Sequence, residues 1–129
     1  MADFVGYPIT VAETATYERA ADELFSNDEH DQLREYLAFH PIAGDEILGA
    51  GGVRQLVWPF KSKGKDRQAQ VIYFFRDLSL PLYMLAVLAE AKIVEFDDSW
   101  RGEMAQLAEM LVREHGVSTA SRAVPESSA

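Results

Sequence analysis

Residues Gly51–Phe75, GGVRQLVWPFKSKGKDRQAQVIYFF, decide how this chain folds. Two apolar runs rich in β-branched and aromatic residues, Val53 to Phe60 and Ala69 to Phe75, flank a polar segment from Lys61 to Gln68. Such runs suit a pleated, half-buried surface, so the stretch predicts two strands of a hairpin joined by a basic loop. Positive charge concentrates here. Six of the 12 Lys and Arg residues lie between Gly51 and Leu80 (Arg54, Lys61, Lys63, Lys65, Arg67 and Arg76), against Asp66 and Asp77. The window carries +4 in a chain of net charge −9, which leaves −13 for the remainder. If the arms extend through the loop, Lys61, Lys63 and Lys65 stand at alternate positions and project from one face. A cationic ribbon on an acidic body suits a local anionic partner, whereas repulsion elsewhere opposes a broad nucleic-acid surface.

Towards the N-terminus, Val5, Ile9 and Val11 share a parity and predict a strand over residues 7–12. From Thr14 to Phe25 the period changes: Tyr17, Ala20, Ala21 and Leu24 fall on one helical face. Ser26 with Glu29 three residues later forms a capping box that opens a second helix, Asn27–Phe39, with Leu33, Tyr36 and Leu37 inward. His40-Pro41 ends it, since proline disfavours the helical conformation of the residue before it. Gly44 and the Gly49-Ala50-Gly51-Gly52 run mark a turning loop. Beyond the hairpin, Leu78 to Pro81 predicts a turn, and the apolar run Leu82–Ala89 a buried strand. Asp97, Asp98 and Ser99 offer caps for a helix over 100–115, with Met104, Leu107, Ala108 and Leu111 on one face. Gly116 is expected to stop it, and the small polar residues 117–129 to be a disordered tail. The order β-α-α-β-β-β-α predicts an α+β fold, a single domain over residues 1–116 with helices on one face of a mainly antiparallel sheet.

A chain of 129 residues, 48% apolar and 26% charged, fits one domain able to bury its own core. It lacks cysteine, a basic apolar leader and any run of about 18 apolar residues, so a soluble, cytoplasmic protein with no membrane partner is expected. His30, His40 and His115 lie far apart without ligand spacing and are expected at surface or cap positions, so no metal and no cofactor is expected. The GAGG run lacks the Lys-Ser/Thr of a phosphate loop. Asp28/Glu29 and Asp97/Asp98 fit the first turns of helices, where the dipole favours acids. The basic segment carries chemistry more readily. Arginine and lysine beside a scissile phosphate stabilise transition-state charge, and lysine or tyrosine can transfer protons, which draws in Arg54 and Tyr73 on the flanking strands. Lysines also keep a sheet edge from aggregating, the plainer explanation of the same residues.

The succession GDEILGAGGVRQL, KSKGK, QVIYFF and LYMLAVLAEAK (Gly44–Leu56, Lys61–Lys65, Gln70–Phe75, Leu82–Lys92) resembles the RelE superfamily of type II toxin–antitoxin toxins, in its HigB-like branch. The resemblance spans about Thr14 to Leu111, and the derived element order agrees with that family's fold. It implies a metal-independent, ribosome-dependent endoribonuclease that cleaves mRNA and inhibits translation, silenced by a cognate antitoxin, a helix-turn-helix protein. The partners implied are thus that antitoxin, the ribosome and mRNA. Arg54 matches the family's arginine after Gly-Gly, Lys61, Lys63 and Lys65 its basic loop, and Tyr73 an aromatic of the next strand. Arg54, Lys63, Lys65 and Tyr73 would be catalytic and Lys61, Arg67 and Arg76 RNA-binding, with the 2′-hydroxyl of RNA as nucleophile. The chain departs from the pattern at Gln70 and Glu90, where the family has basic residues, at Gln55, which replaces a lysine, and at Leu88, which replaces an aromatic. The Gly-Gly after the lysine loop is also replaced. Losing one electrostatic stabiliser costs about 10²- to 10³-fold in rate, which sets a second expectation: a catalytically weakened or inactive module acting through an antitoxin-like partner.

Overall fold

The computed structural model describes residues 8–89 and 96–128. Its elements are β1 (Val11–Glu13), α1 (Ala15–Leu24), α2 (Asn27–Phe39), β2 (Asp45–Glu46), β3 (Val53–Ser62), β4 (Lys65–Phe74), β5 (Leu82–Ala89) and α3 (Asp98–Ser128). Three helices and a five-stranded mixed sheet make an α+β fold. The strand order is β1-β5-β4-β3-β2, with β1 parallel to β5 and every other pair antiparallel.

Local chemistry sets the helix starts. Thr14 caps α1, its hydroxyl accepting from the Tyr17 amide, and Ser26 and Glu29 form the expected capping box at α2. The Asp97 carboxylate accepts from the Trp100 amide at the head of α3. The first strand is Val11–Glu13, later than expected, and Tyr7 lies outside the described residues. α3 runs through Gly116 to Ser128, past the stop expected at Gly116; glycine costs a helix interior about 1 kcal/mol without forbidding it.

Helices cover both faces of the sheet, which corrects the expectation that they lie on one. Tyr17 and Ala21 of α1 and Leu33 and Leu37 of α2 pack with Val71, Tyr73, Leu82 and Met84. On the opposite face Ala108 of α3, with Met104, Leu107 and Leu111 alongside, packs with Val53, Ile72, Phe74 and Leu85. β4 therefore buries consecutive residues from Ala69 onward, odd positions against α1 and α2, even positions toward α3. Fully burying a side chain such as Leu33, Leu37 or Ile72 contributes about 1.5–3 kcal/mol each.

The hairpin also differs from the expected loop. β3 and β4 pair without interruption from Val53–Phe74 to Ser62–Lys65, leaving only Lys63 and Gly64 as the turn. Both have positive φ, 52° and 77°, as in the two-residue type I′ turn whose twist matches that of the flanking strands. Phe60, in T-shaped contact with Phe25 at the C-cap of α1, is the last buried residue of β3 before the tip.

Candidate nucleic-acid interface

Strand register sorts the cations. Arg54, Leu56, Trp58, Phe60 and Ser62 pair with Tyr73, Val71, Ala69, Arg67 and Lys65, and all face α1 and α2. Lys61 pairs with Asp66 on the opposite face. The three lysines thus do not project from one face, because the two-residue turn places Lys61 on one side, Lys65 on the other and Lys63 at the apex. They still form one charged end. Lys61, Lys63 and Lys65 are exposed, Asp66 lies 3.8 Å from Lys61 Nζ, and the Arg67 guanidinium stacks 5.3 Å above the Phe60 ring. Stacking on an aromatic face holds a guanidinium without using its donors.

Arg54 and Tyr73 sit at the other end of the hairpin. At about 3.3 Å per residue, Arg54 is some 30 Å from the turn, so the expected catalytic set does not assemble at one point. Tyr73 is completely buried. Its hydroxyl donates to the Pro41 carbonyl at 2.9 Å and accepts from the Gly44 amide at 2.8 Å. Burial pushes this hydroxyl up to about 12, opposed by the Gly44 amide and the Arg54 charge. A phenol so enclosed pins the 41–44 loop. Gly44 is required by the close approach: a Cβ there would stand 2.6 Å from the Gln55 carbonyl oxygen and 2.8 Å from the Tyr73 ring.

Arg54 Nη1 donates to the Gly44 carbonyl at 2.7 Å, while its Nε is buried with no hydrogen-bond partner. Arg54 and Arg76 line a cleft of about 730 Å³ between the hairpin root, the Gly51-Gly52 loop and α3, into which α3 brings Arg113. Glu46 and Glu109 line it too, the latter 3.9 Å from Arg113. Arg113 was missed by sequence reasoning, which had no means of placing α3 against the hairpin root; the +3 contacts of a helix face give only its own buried side.

Gln70, where the resemblance led one to expect arginine, is buried and donates through Nε2 to Gln55 Oε1 at 2.8 Å. The two glutamines that replace basic residues are therefore partners. Glu90 lies outside the described residues. His30, expected at a surface or cap position, is also buried, its Nε2 3.1 Å from Glu13, whose carboxylate stands 3.3 Å from Arg34 Nε. His40 caps the C-terminus of α2, its amide donating to the Tyr36 carbonyl. Among the described residues no three His, Cys, Asp or Glu side chains gather as a metal would require, and no helix is long and apolar enough to cross a membrane.

The site's chemistry is electrostatic: a cationic tip, and an arginine-lined cleft at the root. Compared with models of known protein families, the chain matches none.

Proposed function

We propose that this chain is the toxin of a type II toxin–antitoxin pair, a RelE-like endoribonuclease that engages mRNA on the ribosome and inhibits translation. The observation that carries this reading is the hairpin tip, where Lys61, Lys63, Lys65 and Arg67 stand together on an otherwise acidic protein. RNA supplies its own nucleophile, so the protein's task is to hold phosphates and stabilise charge. Arg54, Arg76 and Arg113 at the root offer the same chemistry to a second stretch of backbone. Lys63 and Lys65, exposed at the tip, are the groups able to meet a leaving oxygen; Tyr73 serves the scaffold. A helix-turn-helix antitoxin would silence the protein by covering this cationic end.

The test is expression in a bacterial host with and without the product of the neighbouring reading frame. Growth arrest, cleavage of translated mRNA, and relief of both by Lys63→Glu with Lys65→Glu are expected. Absence of arrest and of cleavage would overturn it.

A second reading, a module with this fold that binds without cleaving, is favoured by the Gln70–Gln55 pair and the enclosed Tyr73. On that reading the native chain is harmless, and Gln70→Arg combined with Glu90→Lys creates toxicity. Toxicity of the native chain rejects it.

A further inference from the structure

A second feature lies on the α1/α2 face of the hairpin. Trp58 of β3 is only partly buried, and its ring lies 5.2 Å from that of Tyr36 on α2, tilted by 46°. Tyr36 in turn stacks on His40 at 4.6 Å with 29° between the ring planes. These rings, with Phe39, Gln32 and Glu35, line an open groove of about 460 Å³.

The groove continues into the cationic tip. Arg67 pairs across from Phe60 and Lys65 across from Ser62, on the same face as Trp58. At about 3.3 Å per residue they stand some 7 and 13 Å further along the strand. Acids near this path are few. Glu29 is engaged by the Ser26 and Lys61 amides, at 3.0 and 2.8 Å, Asp66 stands on the opposite face beside Lys61, and Glu35 lines the groove. The combination of aromatic faces with a line of cations is what single-stranded nucleic acid requires: bases stack on the rings while the charges follow the backbone.

We infer that the Tyr36–His40–Trp58 groove is a nucleobase-stacking site for single-stranded RNA whose phosphates run onto Arg67 and Lys65. The inference rests on the RNA-binding reading above and adds to it a site away from both the arginine cleft and the apex of the turn. Gln32 and Glu35 present amide and carboxylate groups to the edge of a stacked base. The charges at the tip favour a polyanion over an apolar helix as the occupant.

The experiment uses the full chain carrying Trp100→Phe, so that Trp58 is the one tryptophan emitter. Two octamers are titrated against it, oligouridylate and a ribose-phosphate chain without bases. The base-bearing octamer is expected to quench Trp58 emission and to bind about 5- to 150-fold more tightly, the range for stacking one base. Trp58→Leu should bring its affinity down to that of the abasic chain, with the fold checked by circular dichroism. Tyr36→Leu, on the facing wall, makes the same test where Trp58→Leu fails to fold. Equal affinity for the two octamers with unchanged Trp58 emission overturns the inference while leaving phosphate binding intact. Binding of neither octamer overturns it together with the RNA reading. Trp58 emission that shifts with protein concentration alone assigns the groove to a second copy of the chain and overturns it as well.

Discussion

The Tyr73 hydroxyl ties β4 to the 41–44 loop by satisfying the Gly44 amide and the Pro41 carbonyl. Tyr73→Phe leaves both groups unpaired in the core and is expected to cost about 1–3 kcal/mol, read as a lower denaturant midpoint at unchanged slope. The same residue gives the protein an alkaline limit. Its ionisation is raised from 10 to about 12 in the folded state, so folded protein retains the proton that unfolded protein releases. The corresponding stability is complete below pH 10 and is lost as pH rises toward 12. Burial raises Tyr17 in the same sense, so Tyr73→Phe should flatten the alkaline limb of the stability curve without abolishing it. A midpoint that falls equally steeply in both proteins between pH 10 and 12 would contradict this. Sequence pattern marks Tyr73 as one aromatic in a β-rich run; its enclosure depends on a loop 29 residues earlier in the chain, which no local pattern reports. Gln70 and Gln55 show the same limit, for each looks like a lost charge alone and a hydrogen-bonded pair together.

Among the elements, α2 and the hairpin are coupled through one carboxylate. Glu29 completes the capping box and also accepts from the Lys61 amide. Burial is the largest single influence and works against its charge, but the Lys61 and Ser26 amides and the Ser26 hydroxyl together outweigh it and hold the carboxyl below its ordinary 4.5. This stabilisation is present above that value and is lost as pH falls through the folded-state value. Glu29→Gln should remove it and free the Lys61 end of β3, seen as faster amide exchange at Lys61; unchanged exchange would show the contact to be idle. Ser26→Ala should cost about 1 kcal/mol, the usual effect of losing a cap. In the turn just beyond that end of β3, Gly64 has φ of 77° in open surroundings, so Gly64→Ala is opposed by the backbone alone and should cost about 1 kcal/mol. The helices were legible because Ser26-x-x-Glu29 and the Tyr17/Ala21 and Met104/Ala108 spacings are local signals. The two-residue turn was not, since Lys63-Gly64 lies inside a polar run that looks like a loop until strand pairing is known. The sign of helices on both faces was present in Val71, Ile72, Tyr73 and Phe74, four apolar residues in succession where a half-exposed strand would alternate.

For the molecule as a whole, the decisive property is that charge is segregated: +4 lies between Gly51 and Leu80 and −13 elsewhere. Pairing then divides the positive window further, with Lys61, Lys63, Lys65 and Arg67 at the tip and Arg54 and Arg76 at the root, joined there by Arg113. An oligonucleotide bound at the tip neutralises up to four cations, and further length meets an acidic body that repels it. The logarithm of affinity for a single-stranded octamer should therefore fall against the logarithm of salt concentration with a slope of about −3, from roughly −0.7 per phosphate contact. Lys63→Glu with Lys65→Glu removes two of those contacts and should bring the slope to about −1.4 or shallower, with the fold retained because both side chains are solvent-exposed. Fluorescence anisotropy between 50 and 300 mM KCl measures both. Extending the RNA well past the octamer should leave the affinity per binding site unchanged, since the body adds repulsion and no contacts. A slope that steepens with RNA length would mean that phosphates find cations beyond the tip, and would move the interface to the arginine cleft at the hairpin root.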